Sequence, residues 1–351
     1  MKKSTTHNLI PGGAHTYSKG DDQFPANAPR YLERGEGVTV WDRDGNEYLD
    51  WSMALSAISL GYGVKPVIEA AMEQMWKGSN FIRPSHIETD LAQDIVDLIP
   101  SAEMVKFAKN GSTVTTAALK LARAHTGRDM VALCGDHPFF SYDDWFIATT
   151  VCDSGIPEST KSLSLTFRYN DIGSVENLFR ENPGKIACLI LEPAAFEHPR
   201  DGFLAKLAVL CRKNGTVFIL DEMVSGFRWH LNGAQTYYDV MPDLCTFGKG
   251  LGNGFSLAVL CGRGEIMELG GLYHDKKRVF LISTTHGAEN HSLAAGRAVL
   301  KFYREEPVIE TMWSVGGKLI EGLNQAAAAA GMGVHLWTMS GLTGTGAWFL
   351  L

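Results

Sequence analysis

The residues most suited to chemistry are an aspartate and a lysine that each follow a short apolar run. Residues 216–220 have the length and β-branched content of a buried strand, and Asp221 comes directly after them. A second apolar run, residues 244–247, leads into Lys249, which is flanked by glycines. Glycine lets the backbone and a ligand approach each other closely. The sequence therefore predicts an acid and a lysine at one edge of a sheet.

These two residues form the pair that pyridoxal phosphate (PLP) requires. Ligands of open α/β sheets bind in the crevice outside the carboxyl ends of the strands. PLP takes a lysine for covalent attachment and an acid beside its pyridine nitrogen. We therefore interpret Lys249 and Asp221 as catalytic residues that also bind the cofactor. Taken alone, Lys249 could equally be a surface lysine between flexible glycines.

Strand-length runs alternate with helical patterns along most of the chain. Apolar runs of strand length occupy residues 104–108, 130–134, 185–191, 216–220 and 244–247. Apolar residues at helical spacing predict helices at 66–77, 88–99 and 204–214. This order is typical of right-handed βαβ crossovers and a mainly parallel sheet with helices on both faces. Polar residues that follow the strands are then expected at one sheet edge.

The turn after residues 104–108 has the composition of a phosphate site. Gly111, Ser112 and Thr113 precede a helical run that ends at Gly127. A helix amino end offers free N–H groups and the positive end of the helix dipole to an anion. An ordinary helix cap, made by serine or threonine, would explain the same residues. Next to the lysine and the acid, we interpret this turn as the phosphate-binding element.

Other candidate cofactor residues follow the strands at 130–134 and 185–191. The loop after the first strand contains His137 and Phe139, whose rings could stack on a planar cofactor. Core packing by this aromatic loop and a purely structural role for His137 are alternatives. Glu192 directly follows the second strand, and we place it among the cofactor-binding residues.

Composition excludes several classes of function. The formal net charge is −7 and no basic stripe occurs, which argues against a nucleic-acid partner. Hydrophobic residues make up 45% and charged residues 20%, as in an ordinary globular enzyme that binds small molecules. The six cysteines have no metal-ligand spacing, so no metal site is predicted.

The sequence contains no recognisable targeting or membrane segment. The amino terminus has two lysines but no apolar core of a signal peptide. No run reaches the ~18 consecutive apolar residues of a membrane span. We therefore expect a cytoplasmic location and no membrane partner.

The ordered set of motifs resembles the class III PLP-dependent aminotransferases and, within them, the glutamate-1-semialdehyde 2,1-aminomutase-like branch. The resemblance covers roughly residues 10–340 and rests on five segments: NGSTVTTAALKLARAHTGRD from residue 110, LEP at 191–193, LDEMVSGFR at 220–228, PDLCTFGKGLGNG at 242–254 and STTHGAENHSLAAG at 283–296. It implies the α/β fold of PLP-dependent transferases (fold type I), with a small α+β domain beside a large domain.

The resemblance also implies a division of the chain. Residues 1–55 form an N-terminal segment whose hairpin contributes to the small domain, and residues 56–303 form the large PLP-binding domain. Residues 304–351 are then the start of a C-terminal small domain, which we expect to be truncated. The hairpin is indicated independently by strand-like residues at 38–41 and 47–51 around an Asp-Gly turn.

Roles for individual residues follow from the same resemblance. Lys249 is similar to the lysine that attaches the cofactor and moves a proton, and Asp221 to the acid that keeps the pyridine nitrogen protonated. The turn at 111–113 matches the phosphate-binding turn. Thr285 matches a threonine that reaches the phosphate of the neighbouring subunit, which implies a homodimer with shared active sites.

Two departures from the family pattern concern the ring-stacking and substrate positions. Asp136-His137-Pro138 stands where the family often has Tyr-His-Gly, so stacking passes to His137 or Phe139. Lys19 stands where the aminomutases have an arginine. We place Lys19 and Tyr17, from the same loop, among the candidate substrate residues.

The expected function is PLP-dependent amino-group transfer on a small amino acid, amino aldehyde or amino sugar. The amino group would pass between two substrates or, as in an aminomutase, within one. A PLP decarboxylase or racemase on the same fold is an alternative, because a fold does not determine a reaction. A catalytically impaired PLP-binding partner protein is another.

Overall fold

A seven-stranded sheet forms the centre of the computed structural model, which describes residues 5–137 and 141–333. A separate three-stranded sheet lies near the amino terminus. The strands are β1 (Arg34–Glu36), β2 (Thr39–Trp41), β3 (Glu47–Leu49), β4 (Met104–Ala108), β5 (Met130–Cys134), β6 (Ser164–Phe167), β7 (Ile186–Leu191), β8 (Val217–Asp221), β9 (Leu244–Phe247) and β10 (Ala258–Gly262).

The large sheet is mainly parallel, as predicted. Its strand order is β4-β10-β9-β8-β7-β5-β6. Strands β9, β8, β7, β5 and β6 are parallel neighbours, and β10 is antiparallel to both β9 and β4. Strand β4 therefore runs in the same direction as the parallel strands. The carboxyl ends of six strands consequently meet at one edge of the sheet.

Helices cover both faces of the large sheet. They are α1 (Thr5–Leu9), α2 (Met53–Ser56), α3 (Lys65–Lys77), α4 (His86–Leu98), α5 (Gly111–Thr126), α6 (Asp144–Ile147), α7 (Glu158–Lys161), α8 (Ile172–Glu181), α9 (Phe203–Asn214), α10 (Ala234–Tyr237), α11 (Gly264–Met267), α12 (Asn290–Glu305) and α13 (Val308–Ala329). Within the described chain, no helix has the length and apolar character needed to cross a membrane.

Two apolar cores lie on the two faces of the sheet. Helix α5 packs with Ile190 of β7 and Ile219 of β8 in one core. Leu191 and Leu220, the next residues of the same strands, belong to the other core together with residues of α3, α4, α9 and α12. Successive side chains of a strand point to opposite faces, so both faces of a buried parallel sheet must be apolar. This arrangement explains the nearly unbroken apolar runs of the sequence.

Helix α5 is capped differently from the prediction. The sequence suggested a serine or threonine cap, but the cap is Asn110, whose Oδ1 accepts a hydrogen bond of 2.9 Å from the Thr113 N–H. Asparagine caps helices as well as serine does, and here it precedes the Gly-Ser-Thr run. The predicted end at Gly127 is confirmed, with the left-handed φ of 67° that favours glycine.

The N-terminal hairpin is confirmed as β2 and β3, which pair antiparallel around a turn held by Asp42. Helix α2 follows it and is a left-handed turn, because all four of its residues have φ between 44° and 64°. Each such residue costs about 1–2 kcal/mol outside glycine. The division into domains stays a prediction, and residues 334–351 of its last segment lie outside the described residues.

Candidate active site

A row of polar side chains crosses the carboxyl edge of the sheet. Leu191 of β7 pairs with Leu220 of β8, so Glu192 lies beside Asp221 in the next position. Asp221 in turn pairs with Thr246 of β9. Leu191 and Leu220 point into the core on the face opposite α5. Because side chains alternate along a strand, Glu192, Asp221 and Thr246 project on the α5 side.

Asp221 is buried and holds one carboxylate oxygen available for a ligand. Only 6% of it is exposed. Oδ1 accepts hydrogen bonds from the Met223 N–H at 2.9 Å and the Thr246 hydroxyl at 2.8 Å. Among the described residues, no donor bonds to Oδ2. Burial raises the pKa of Asp221, whereas the two hydrogen bonds and the Lys249 charge act in the opposite direction.

The neighbouring acid, Glu222, has a structural role. It is fully buried and points away from Asp221, as alternation along the strand requires. Its carboxylate accepts hydrogen bonds from the Ala234 N–H and from both the N–H and the side chain of Gln235, at the start of α10. Burial raises its pKa to about 7. Two consecutive acids therefore have different surroundings. Asp221 lies in the row of polar side chains, and Glu222 holds the start of α10.

Lys249 begins a short 3-10 turn, Lys249–Leu251, directly after β9 and Gly248. It is half-buried, and its φ of 43° lies in the left-handed region that favours glycine. Burial lowers the pKa of Lys249, the Glu192 and Asp221 carboxylates oppose this effect, and Arg228 adds to it. A lowered pKa increases the fraction of neutral amine, which is the form that attacks a carbonyl group.

The glycines on either side of Lys249 lie close to neighbouring side chains. A Cβ atom at Gly248 would lie 2.2 Å from Cε of Met223, and one at Gly250 would lie 2.3 Å from the Ser59 hydroxyl. A Cβ atom at Gly111 would lie 3.0 Å from the same Met223 methyl group. The lysine turn and the start of α5 therefore share Met223 as a common neighbour.

The amino end of α5 can hold an anion. The first N–H groups of a helix have no intrahelical partner, which leaves those of Gly111 and Ser112 available. Ser112 is buried, and its hydroxyl accepts a 3.3 Å hydrogen bond from the Tyr142 N–H. The Thr113 hydroxyl donates to Asn110 at 3.1 Å, so Thr113 belongs to the cap. The predicted phosphate turn thus lies on the same side of the sheet as Asp221.

The ring-stacking prediction is only partly described by the structure. His137 is 3% exposed, and its ring lies 4.4 Å from the ring of Tyr169 between centroids. Burial lowers the pKa of His137 to about 4, so the imidazole is neutral at physiological pH. Its Nδ1 has no hydrogen-bond partner in the described structure. Phe139 lies outside the described residues, and the stacking roles stay predictions.

Three predicted site residues lie on the surface of the single chain. Thr285 is exposed, and its carbonyl accepts a 2.8 Å hydrogen bond from the Asn80 side chain. Tyr17 and Lys19 are exposed in a 3-10 turn near the amino terminus. Within the described residues, no hydrogen bond or ion pair joins them to Lys249 or Asp221. The phosphate-binding role of Thr285 and the substrate role of Tyr17 and Lys19 stay predictions.

Sequence reasoning missed a set of hydrogen bonds that joins residues 53–61 to the segments around the lysine turn. We call this set of hydrogen bonds the clasp. The Arg228 guanidinium donates to the carbonyl groups of Val224 and Ser56 and, at 3.2 Å, to the Ser59 hydroxyl. Asn253 accepts hydrogen bonds of 2.9 Å from the N–H groups of Ser59 and Leu60. Arg228 and Asn253 are inside recognised motifs, but residues 53–61 have no periodicity that indicates such a contact.

Comparison with known proteins shows the family of the chain. A family model described as aminotransferase class-III matches residues 20–335. The chain belongs to the class-III aminotransferase family. It is 32% identical over 352 residues to glutamate-1-semialdehyde 2,1-aminomutase of Francisella philomiragia, covering 95% of this chain and 79% of the relative. The same enzyme of Desulforamulus reducens is 34% identical over 336 residues, with coverage of 92% and 77%.

Two solved structures, a protein with PLP attached and a transaminase, have the same fold. The FumI protein of Sphingopyxis sp. MTA144, solved in its PLP internal aldimine form, matches with a TM-score of 0.85 and 27% identity over 93% of this chain and 77% of that chain. An omega-transaminase from Sphaerobacter thermophilus matches with a TM-score of 0.84 and 25% identity, with the same coverage. The predicted fold of PLP-dependent transferases is thereby confirmed.

The cofactor of this enzyme is PLP, and its reaction is amino-group transfer. The residues of the site fit the cofactor. Oδ2 of Asp221 is available for a ring nitrogen, and the α5 amino end is available for a phosphate. Lys249 is half-buried at the same edge of the sheet.

Proposed function

We propose that Lys249 and Asp221 are the catalytic residues of amino-group transfer on a small amino acid, amino aldehyde or amino sugar. The observation that carries this proposal is the placement of both residues at one sheet edge, where their charges act on each other. When bound, PLP supplies the electron-accepting ring that makes a proton on the substrate carbon removable. Binding, orientation and proton transfer fall to backbone and side-chain groups of this chain.

Each site residue has a distinct role in the proposal. Lys249 attaches the cofactor and then, as a neutral amine, accepts the substrate proton and returns it at another position. Asp221 uses Oδ2 to hold the ring nitrogen in its protonated form, while Met223 and Thr246 keep the carboxylate in place through Oδ1. The N–H groups of Gly111 and Ser112 bind the phosphate.

The catalytic unit of the proposal is a homodimer in which Thr285 reaches the phosphate of the other subunit. Thr285 is exposed in the single chain, and its loop is bonded to Asn80. Large apolar side chains close to Asn80 in the sequence are at least half exposed, namely Met72, Met75, Trp76, Phe81 and Ile82. Exposed apolar patches of this kind mark protein interfaces. A second copy that covers this patch would also contact the Thr285 loop.

The dimer is tested by the molar mass of the chain in solution. We expect light scattering to give twice the chain mass, and the double substitution Trp76→Glu and Ile82→Glu to give a monomer that retains PLP poorly. Val151→Glu is the control, since Val151 is fully exposed outside the patch. A stable dimer of the double variant would contradict the proposed interface.

The assignment of Lys249 is tested by the visible absorption band of bound PLP. The purified wild-type protein should show the band, and borohydride should fix the cofactor to the chain. Lys249→Ala should lose both properties, whereas Lys109→Ala should keep them, because Lys109 is bonded to Glu289 outside the row of acids. A band in Lys249→Ala that borohydride still fixes would overturn the assignment.

The reaction is tested by a screen of amino donors against the bound cofactor. Loss of the visible band on addition of an amine, with recovery on addition of a keto compound or aldehyde, supports transfer between substrates. Isomerisation of an amino aldehyde without a second substrate supports transfer within one molecule. Release of carbon dioxide or loss of chirality without transfer would instead indicate the decarboxylase or racemase alternative.

A further inference from the structure

A cavity lies at the edge of the large sheet opposite the candidate active site. Its volume is about 520 Å³, within the range of about 300–1,000 Å³ that is typical of small-molecule sites. The start of β8 and the residues before β9 line it, together with the last turns of α5 and α9 and the residue after β10. Because Asp221 and Lys249 follow the carboxyl ends of their strands, this cavity is separate from them.

The lining of the cavity combines apolar surface with a few charged groups. Ala208, Met241 and Pro242 contribute to the apolar part, and Met241 is 57% exposed. A ligand that covers this side chain removes apolar surface from water, which is favourable. Small-molecule sites commonly have such a lining, in which a small number of polar groups set the orientation of the ligand.

The two acids of the lining are already bonded to groups of the protein. Asp243 accepts a 2.6 Å hydrogen bond from Arg263 through Oδ1 and a 2.8 Å hydrogen bond from the Phe218 N–H through Oδ2. Glu103 accepts a 2.7 Å hydrogen bond from the Gly264 N–H. Donors of the protein therefore offset much of the negative charge in the lining.

Arg212 is a lining cation with no acid in ion-pair contact among the described residues, whereas Arg263 is paired with Asp243. A guanidinium group matches a carboxylate through two parallel hydrogen bonds. His125 also lines the cavity, and its buried Nδ1 has no hydrogen-bond partner in the part of the chain that the structure describes. Buried polar groups normally have a partner, and a ligand in the cavity can supply one.

The end of α9 at this edge does not prevent the binding of an anion. The Cys211 carbonyl accepts a 2.9 Å hydrogen bond from the Thr216 N–H, and the Asn214 carbonyl accepts one of 2.8 Å from the Arg128 guanidinium. Positive groups at the carboxyl end of a helix offset the negative end of its dipole. The guanidinium of Arg212 therefore remains the main group that a charged ligand meets here.

We propose that this cavity binds a small carboxylic acid with an apolar body. The carboxylate binds the Arg212 guanidinium, and the apolar body covers Met241 and the neighbouring Pro242. Binding is noncovalent and uses neither Lys249 nor Asp221. The site is therefore independent of the amino-group transfer assigned to the other edge of the sheet.

Binding of benzoate to the PLP-loaded protein tests this site. Benzoate has a carboxylate on an apolar ring, and benzyl alcohol has a similar ring without the charge. We expect calorimetry to show benzoate binding, and Arg212→Gln to weaken it about tenfold through loss of the charged pair. Lys213→Gln is the matched control, because it removes an equal charge from the next, exposed residue of α9 and should leave the affinity unchanged.

A second variant tests the apolar contact. Met241→Gln keeps the charge of the cavity and should weaken benzoate binding about threefold, because less apolar surface is covered. Three results would each refute the proposal. They are the absence of benzoate binding to the wild type, an equal loss in Arg212→Gln and Lys213→Gln, and binding of benzyl alcohol as tight as that of benzoate.

Discussion

Neighbouring residues at the catalytic edge have opposite tasks because the strand directs them to opposite faces. Asp221 faces α5, with Oδ1 bonded and no donor to Oδ2 among the described residues, and Glu222 faces the other core and anchors α10. Thr246 is the less obvious partner, since it orients Asp221 from the next strand. The orientation of the Asp221 carboxylate thus depends on a hydroxyl 25 residues away in the sequence.

Removal of the Thr246 hydroxyl should weaken catalysis without loss of the fold. In Thr246→Val, Asp221 loses one of two donors to Oδ1, and a hydrogen bond to a charged group contributes about 1.5–3 kcal/mol. We expect the rate of amino transfer to fall about 10- to 100-fold. Single-turnover kinetics of cofactor bleaching by an amine measure this step. Thr236→Val is the matched control, since Thr236 is exposed and bonded only locally; an equal loss there would contradict the interpretation.

Sequence reasoning succeeded at the residue scale where a side chain follows a strand. Asp221, Lys249 and Glu192 could be placed at one edge because strand ends and strand direction are readable from apolar runs. The distinction between Asp221 and Glu222 needed the register of β7, β8 and β9. The Asn110 cap was missed because serine, threonine and asparagine are equivalent caps, and only the geometry selects one.

At the scale of elements, the clasp holds residues 53–61, which include the left-handed turn α2, against the loop after β8 and the turn after Lys249. Four consecutive positive φ values are unfavourable, so contacts elsewhere must hold them. Arg228 bonds to this segment from the loop after β8, and Asn253 bonds to it from the turn after Lys249. The contact of Ser59 with Gly250 closes the clasp.

The clasp predicts an effect of Asn253 on both stability and cofactor retention. Asn253→Ala leaves the N–H groups of Ser59 and Leu60 without an acceptor, which costs about 1–3 kcal/mol. We expect a lower free energy of unfolding in urea and faster loss of PLP on dialysis. Asn182→Ala, which removes one local bond at the end of α8, should change stability less and leave PLP retention unchanged. Equal PLP loss in both variants would refute the clasp.

At the scale of the whole molecule, buried carboxyl groups link stability to pH. Burial raises the pKa of Glu222 to about 7 in the folded protein, above its ordinary value of 4.5, so the folded protein binds this proton more tightly than the unfolded chain. The stabilisation is complete below pH 4.5 and is lost as the pH rises towards about 7. The desolvated histidines act in the opposite direction, so a comparison with a variant is needed.

Glu222→Gln should therefore change the pH dependence of unfolding. Relative to the variant, wild-type stability should fall as the pH is raised between 4.5 and about 7, and the difference should be constant at higher pH. Urea unfolding followed by circular dichroism across this range measures the difference. Glu181→Gln removes an exposed carboxylate and should give parallel curves. A wild-type advantage that grows with pH would show the assigned sign to be wrong.

The overall architecture was largely predictable, because buried parallel strands have apolar runs that periodicity detects. Strands β4, β5, β7, β8 and β9, the positions of α5 and α9 and the hairpin agree with the sequence reading, whereas the edge strand β6 was not predicted. Contacts between segments far apart, such as Ser59 with Gly250, were not predictable, since they follow from packing rather than local pattern. The proposed dimer was not predictable from local pattern either, and the exposed apolar side chains near Asn80 in the sequence are our evidence for where a second copy would bind.

The backbone conformation at Lys249 bears on the stability of the enzyme when no cofactor is bound. A left-handed lysine with φ of 43° stores conformational strain of about 1–3 kcal/mol in the folded chain. A ligand that binds only the native state shifts the folding equilibrium towards it, so bound PLP should stabilise the folded chain despite this strain. We therefore expect the protein without PLP to be digested by proteases faster than the protein with PLP bound.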